Sequence, residues 1–246
     1  MEFYVVDSYR ELSDKAANIV AEEMFHNKNA VLGLATGSTP EGMYARLVKM
    51  YRESKLDFAS IVTFNLDEYI GLCPEHPRSY HYYMNRNLFD HVNINAENIN
   101  IPCCSDGWNS GEICREYDRK IINAGGIDLQ LLGLGVNGHI GFNEPGQHLQ
   151  AQTHLVNLAK ETIEANSRFF DTPDEVPRQA ITMGVGSIMH SAKILLMASG
   201  QNKAPAIRES FSGLVSTKTP ASLLQLHRDL ILLIDKEAAS LLDCVR

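Results

Sequence analysis

The feature that most constrains this chain is a rhythm. Short runs that are apolar at nearly every position recur at residues 3–6, 30–35, 61–66, 99–102, 127–134, 180–183, 194–198 and 230–234, with amphipathic or polar stretches between them. A strand with one wet face alternates, whereas a run that is apolar throughout is buried on both faces. Helix signals fall in the gaps. Ser8 is followed three residues on by Glu11, the pattern of a capping box. Thr39-Pro40-Glu41 reads as an N-cap followed by Pro at the first helical position. Further helical patterns cover 79–91, 111–124, 203–212 and 236–242. Strand alternating with helix implies an α/β fold: a three-layer sandwich with a mostly parallel sheet and helices on both faces. The 246 residues hold no repeat, low-complexity tract or Gly/Ser/Pro-rich linker, so a single domain, 1–246, is expected.

Composition narrows the function. Hydrophobic residues make up 44% and charged residues 21%, which suits a globular chain with an unstapled core. A net charge of −8 repels a phosphate backbone, so no nucleic-acid partner is expected. A small anionic substrate would need a local cluster of donors. The five cysteines include the adjacent pair Cys103–Cys104, which fits no common metal spacing and reads as reduced thiols in a cytoplasm. The first seven residues lack a basic and apolar leader, and no apolar run is long enough for a bilayer, so neither export nor a membrane is expected.

Two stretches break the rhythm. Residues 143–153 form a polar loop with Pro145 and Gly146, and 158–178 reads as a helix followed by a turn-rich segment with Pro173 and Pro177. Each reads equally well as a lid beside a site or as a surface connection.

Three motifs carry chemistry. Gly37-Ser38-Thr39 joins a strand to a helix, where free backbone N–H groups and a partial positive charge favour an anion. The same residues also read as a plain helix cap, and they lack the spacing and Lys of a P-loop. Asn65-Leu66-Asp67-Glu68-Tyr69 puts two carboxylates at the carboxyl end of a strand, where α/β sheets bind ligands. Either a general base or an acidic turn would look like this, and only one of Asp67 and Glu68 need face the crevice. Gly133-Leu134-Gly135-Val136-Asn137-Gly138 matches a dinucleotide fingerprint. The residues that follow, His139 to Pro145, are poor helix starters, and no acidic strand end comes about 20 residues later, so NAD is not expected. His139, with Glu144 and Asn137 nearby, has the makings of a proton-transfer group. The remaining histidines form no metal-ligand array, and GxSxG is missing, so neither a metal nor an α/β-hydrolase is expected.

Together the segments 32–40, 65–69 and 133–145 resemble the glucosamine-6-phosphate deaminase family, in its order, with support from 74–80, 165–170 and 180–186. The resemblance covers nearly the whole chain. It implies a modified Rossmann-like fold, no cofactor, and conversion of glucosamine 6-phosphate and water to fructose 6-phosphate and ammonia in amino-sugar catabolism. It also implies roles. His139 opens the sugar ring, held and tuned by Glu144 and Asn137, while Asp67 moves the proton from C2 to C1. Gly37, Ser38, Thr39, Arg168 and Lys203 bind the substrate phosphate, with 158–181 as a lid that phosphate contact helps to close.

Two departures stand out within the resemblance. Some members carry Asp where this chain has Asn137. Allosterically activated members carry basic residues where this chain has Gln152, His154 and Val156, so activation by N-acetylglucosamine 6-phosphate is expected to be weak or missing. A homo-oligomer is admitted and not required. The rivals are 6-phosphogluconolactonase, which shares the fold but has no use for the Asp67 shuttle, a sugar-phosphate-sensing regulator, and an inactive scaffold.

Overall fold

The computed structural model describes residues 1–102, 110–158, 163 and 176–242. Seven strands form one parallel sheet: β1 (Glu2–Val6), β2 (Val31–Leu34), β3 (Val62–Asn65), β5 (Ile99–Asn100), β6 (Leu129–Gly133), β9 (Lys193–Ala198) and β10 (Leu230–Asp235). They lie in the order β1-β10-β9-β6-β2-β3-β5. The central strands β9 and β10 are buried along almost their whole length, as their unbroken apolar runs demand. The helices are α1 (Tyr9–His26), α2 (Glu41–Arg52), α3 (Tyr80–Asn87), α4 (Ser110–Asn123), α5 (Val185–Met189) and α6 (Ala204–Ser210). The mostly parallel α/β architecture expected from the sequence is therefore present, including the Ser8 cap, whose hydroxyl accepts the Glu11 N–H at 3.3 Å.

The strand order locates the crevice. From β2 the chain proceeds outward through β3 to β5, then returns to β6 on the other side of β2 and proceeds to β9. The loops after β2 and β6 thus leave in opposite directions, and the gap between them is the switch point at which open α/β sheets bind ligands.

Three local expectations are corrected. Residues 180–183 were expected in the main sheet. Their strand, β8 (Gln179–Thr182), instead centres a second, antiparallel sheet between β4 (Asp67–Tyr69) and β7 (His154–Asn157). Residues 236–242 form turns rather than a helix. At α2 the N-cap is Pro40, without a side-chain capping bond, so Thr39 is not spent as a cap. The 143–153 stretch, which the sequence left open between a lid and a surface connection, is tethered at two points. Gly146 is bound on both its N–H and its carbonyl by Thr217. Asp118 accepts the Thr153 N–H and hydroxyl and the Ser187 hydroxyl. Cys103, Cys104, Arg168 and most of the 158–181 segment lie outside the described residues.

Candidate active site

Three segments converge at the switch point. The first is the loop after β2. Gly37 has φ +96°, a left-handed conformation that only Gly adopts without strain, and a Cβ there would meet nothing within 4 Å. The Tyr83 hydroxyl donates to the Gly37 carbonyl at 2.7 Å, and the Tyr9 hydroxyl to the Ser38 carbonyl at 3.0 Å.

The second is the Asp67–Glu68 pair, which the sequence left ambiguous. The backbone of Leu66 bridges the two sheets: its N–H donates to Leu34 and its carbonyl accepts the Met183 N–H. The chain then enters β4, where Asp67 pairs with Thr182. The two carboxylates part company there. Glu68 accepts the N–H groups of Tyr69, Tyr80 and His81, each at 2.9 Å, and faces His81 Nδ1 at 3.1 Å. It anchors the N-terminus of α3, a favourable place for a negative charge. Asp67 is buried and accepts no hydrogen bond among the described residues. Burial pushes its carboxyl up to about 8, and the neighbouring Glu68 charge adds to the effect.

The third segment is the loop after β6, residues 134–145, in which the glycines make room. A Cβ on Gly135 would lie 2.4 Å from the His139 ring, so the imidazole packs flat on a residue that has no side chain. Gly138, at φ +83°, and Gly141, at φ +56°, shape the turns on either side of His139. A Cβ on Gly141 would lie 3.0 Å from Thr182 Oγ1 and 3.5 Å from Asp67 Oδ2, which brings this loop against the buried carboxyl. His139 Nδ1 and Glu144 Oε2 are 3.3 Å apart, close enough for charge pairing but not aligned as a hydrogen bond. Asn137 donates to Glu144 Oε2 at 2.8 Å and accepts the His139 main-chain N–H at 3.2 Å. Asn137 therefore fixes the carboxylate and the loop rather than gripping the imidazole itself.

Lys203, at the C-terminal end of the β9 connection, donates Nζ to the Leu134 carbonyl at 2.7 Å, so it stands beside the β6 loop. The structure thus gathers Gly37, Ser38, Thr39, Asp67, Asn137, His139, Glu144 and Lys203 around one end of the sheet, with Arg168 outside the described residues.

Sequence reasoning missed several supports. Asn143, buried, donates to the Ile140 and Met183 carbonyls, both at 2.9 Å, and so pins the β6 loop to the second sheet. The Thr182 hydroxyl accepts the Phe142 N–H at 3.0 Å. Tyr69, Tyr80 and Phe142 stack together with ring centroids 4.8 to 6.2 Å apart. Asn143 and Thr182 lay within motifs already singled out, but nothing local distinguishes a support from a surface residue. Among the described residues, no group of three His, Cys, Asp or Glu is placed to hold a metal, and no helix is long and apolar enough to cross a membrane.

Fold and site define an α/β enzyme that works on a small ligand at the switch point of its sheet. The family of glucosamine-6-phosphate isomerases and 6-phosphogluconolactonase matches residues 6–232, and the chain belongs to it. The glucosamine-6-phosphate deaminase of Halothermothrix orenii is 57% identical over 245 residues, covering 98% of this chain and 100% of that one. The glucosamine-6-phosphate deaminase of Thermoanaerobacter sp. (strain X514) is 54% identical over 242 residues, covering 98% of this chain and 95% of its own. A solved monomeric glucosamine-6-phosphate deaminase superposes with a TM-score of 0.95 at 45% identity, covering 98% of this chain and 100% of that one. The 6-phosphogluconolactonase of Trypanosoma brucei shares the fold, with a TM-score of 0.78 at 18% identity over 98% of each chain.

Proposed function

We infer that this chain is a glucosamine-6-phosphate deaminase, converting glucosamine 6-phosphate and water to fructose 6-phosphate and ammonia in amino-sugar catabolism. The observation that carries the reading is Asp67: a buried carboxyl without a donor among the described residues, set against the loop that bears His139. A hydrolase of a ring ester has no use for such a group, whereas an aldose–ketose isomerisation needs one.

In this reading, Gly37, Ser38 and Thr39 hold the 6-phosphate with Arg168 and Lys203, two cations working against the net negative chain. His139, backed by the Glu144 charge, carries the proton of the C1 hydroxyl to the ring oxygen and opens the sugar. Asp67 then takes the C2 proton of the aldehyde, leaving an enolamine, and returns the proton to C1. The resulting C2 imine adds water and expels ammonia, which leaves the ketose. A carboxyl near 8 is strong enough as a base for this step and is still readily reprotonated. The chain acts as one catalytic domain, and its free thiols at Cys73 and Cys114 fit a cytoplasmic setting.

The test is release of ammonia from glucosamine 6-phosphate with fructose 6-phosphate followed in parallel, wild type beside Asp67→Asn. Equal release of both products, lost in the variant, is expected. Folded wild type that releases neither would overturn the reading and make 6-phosphogluconolactone the next substrate to try.

A further inference from the structure

Two tyrosines from different helices reach the loop after β2. Tyr83, on α3, donates to the Gly37 carbonyl at 2.7 Å. Tyr9, the first residue of α1, donates to the Ser38 carbonyl at 3.0 Å and accepts the Gly42 N–H at 2.9 Å. The peptide units that own these carbonyls also own the N–H groups of Ser38 and Thr39. A planar trans peptide sets its C=O and N–H in opposite directions. Holding each carbonyl on a tyrosine therefore turns the paired N–H away from that tyrosine. Among the described residues, neither the Ser38 nor the Thr39 N–H donates to any acceptor.

We infer that Tyr9 and Tyr83 are positioning residues for the substrate: their hydroxyls aim the Ser38 and Thr39 N–H groups into the crevice between β2 and β6, where they bind the 6-phosphate. The inference rests on the reading of Gly37–Thr39 as the phosphate site and adds what sets its geometry. Donors fixed in advance spare the ligand the cost of ordering them. The tyrosines suit the task differently. Tyr83 is mounted on α3, whose N-terminus is anchored by Glu68 next to Asp67, so the phosphate donors and the enolisation carboxyl share one rigid element. Tyr9, which is 39% exposed, ties the loop to the first turn of α2 as well as to α1.

The experiment uses Tyr83→Phe and Tyr9→Phe, which remove one hydroxyl each and keep the rings. Binding of fructose 6-phosphate and of inorganic phosphate is measured by calorimetry, and kcat and KM for glucosamine 6-phosphate are measured alongside. Tyr83→Phe is expected to weaken both probes about five- to tenfold, and Tyr9→Phe about threefold, the worth of one hydrogen bond apiece. KM should rise in step, with kcat within about twofold of wild type. The double variant should bind both probes more weakly than either single variant, and the two losses need not multiply, since the hydroxyls hold adjacent peptides of one loop. Both probes binding the variants as tightly as wild type, or kcat falling with binding unchanged, would overturn the proposal. Circular dichroism checks folding. Should Tyr83→Phe not fold, the more exposed Tyr9→Phe decides by the same criteria. A wild type that binds neither probe would remove the phosphate-site reading, and this proposal with it.

Discussion

The loops after β2 and after β6 flank the same crevice, and both are rich in Gly, yet they spend their backbone differently. In the β2 loop the carbonyls of Gly37 and Ser38 are held by tyrosines, and the following N–H groups stay open. In the β6 loop five N–H groups are bound within the protein. Gly135 donates to His139, Gly138 to Gly135, His139 to the Asn137 side chain, Phe142 to Thr182 and Asn143 to Ile140. One loop offers donors to an anion. The other binds part of its own backbone into shape and offers side chains, His139 and Glu144, for proton transfer. A glycine-rich stretch is thus read by where its N–H groups go, since each must find a partner or remain available for a ligand. Gly133 to Gly138 matches a dinucleotide fingerprint in letters, but no helix opens after it, and Gly135 and Gly138 donate locally to His139 and Gly135.

The largest expected effect is at Asp67, which the β6 loop packs against. Asp67→Asn should lower kcat by about 10³-fold with substrate binding little changed, as for loss of a general base. The same substitution should stabilise the fold at alkaline pH. The folded-state value of about 8 lies above the ordinary carboxylate range, so the native protein binds one proton more than the unfolded chain between about 4 and 8. Wild-type stability therefore falls as pH rises through that window, by at most about 1.4 kcal/mol per unit from this group. Melting curves at pH 5 and pH 8 should show the variant gaining on wild type at the higher pH. A gap that does not change with pH would contradict the assignment.

Two glycines separate the loops more finely. Gly135→Ala would drive a methyl into the His139 ring, so kcat should fall about 10²-fold with KM nearly constant. Gly37→Ala meets no atom but strains a φ of +96°, at about 1–2 kcal/mol. There KM should rise severalfold while kcat holds. Steady-state kinetics on the pair would break the division of labour if both variants changed the same constant.

How much of this could be read from the sequence depends on range. The apolar runs of β9 and β10 were legible because burial on both faces leaves its mark at every position. Residues 180–183 carried the same mark but sit in the other sheet, since apolarity reports burial and not the partner strand. β4 and β7 were missed, being short and lined with polar residues such as Asp67, Glu68 and His154. Asp67 and Glu68 were found as a pair, but their division depends on the N-terminus of α3, a dozen residues downstream. Tyr9 and Tyr83 left no signal, because a hydroxyl bound to a carbonyl about 30 to 50 residues away in sequence has no local pattern.

The smallest expected effect sharpens the β6 side. Asn137 donates to Glu144 at 2.8 Å, so Asn137→Asp would set two carboxyls at that distance. They cannot both ionise easily, and one must hold its proton to higher pH. The acid limb of the kcat/KM profile should move upward, by up to about one unit, with the plateau rate within a few fold. An unshifted limb would mean that Glu144 does not govern His139.

The central claim is that Asp67 moves the proton between C2 and C1. The most direct measurement follows deuterium at C2 of labelled glucosamine 6-phosphate by NMR, with wild type and Asp67→Asn at matched saturation. Wild type should lose the label from C2 during turnover, and the variant should bind the substrate while leaving the label in place. A variant that removes the label at the wild-type rate would contradict the account.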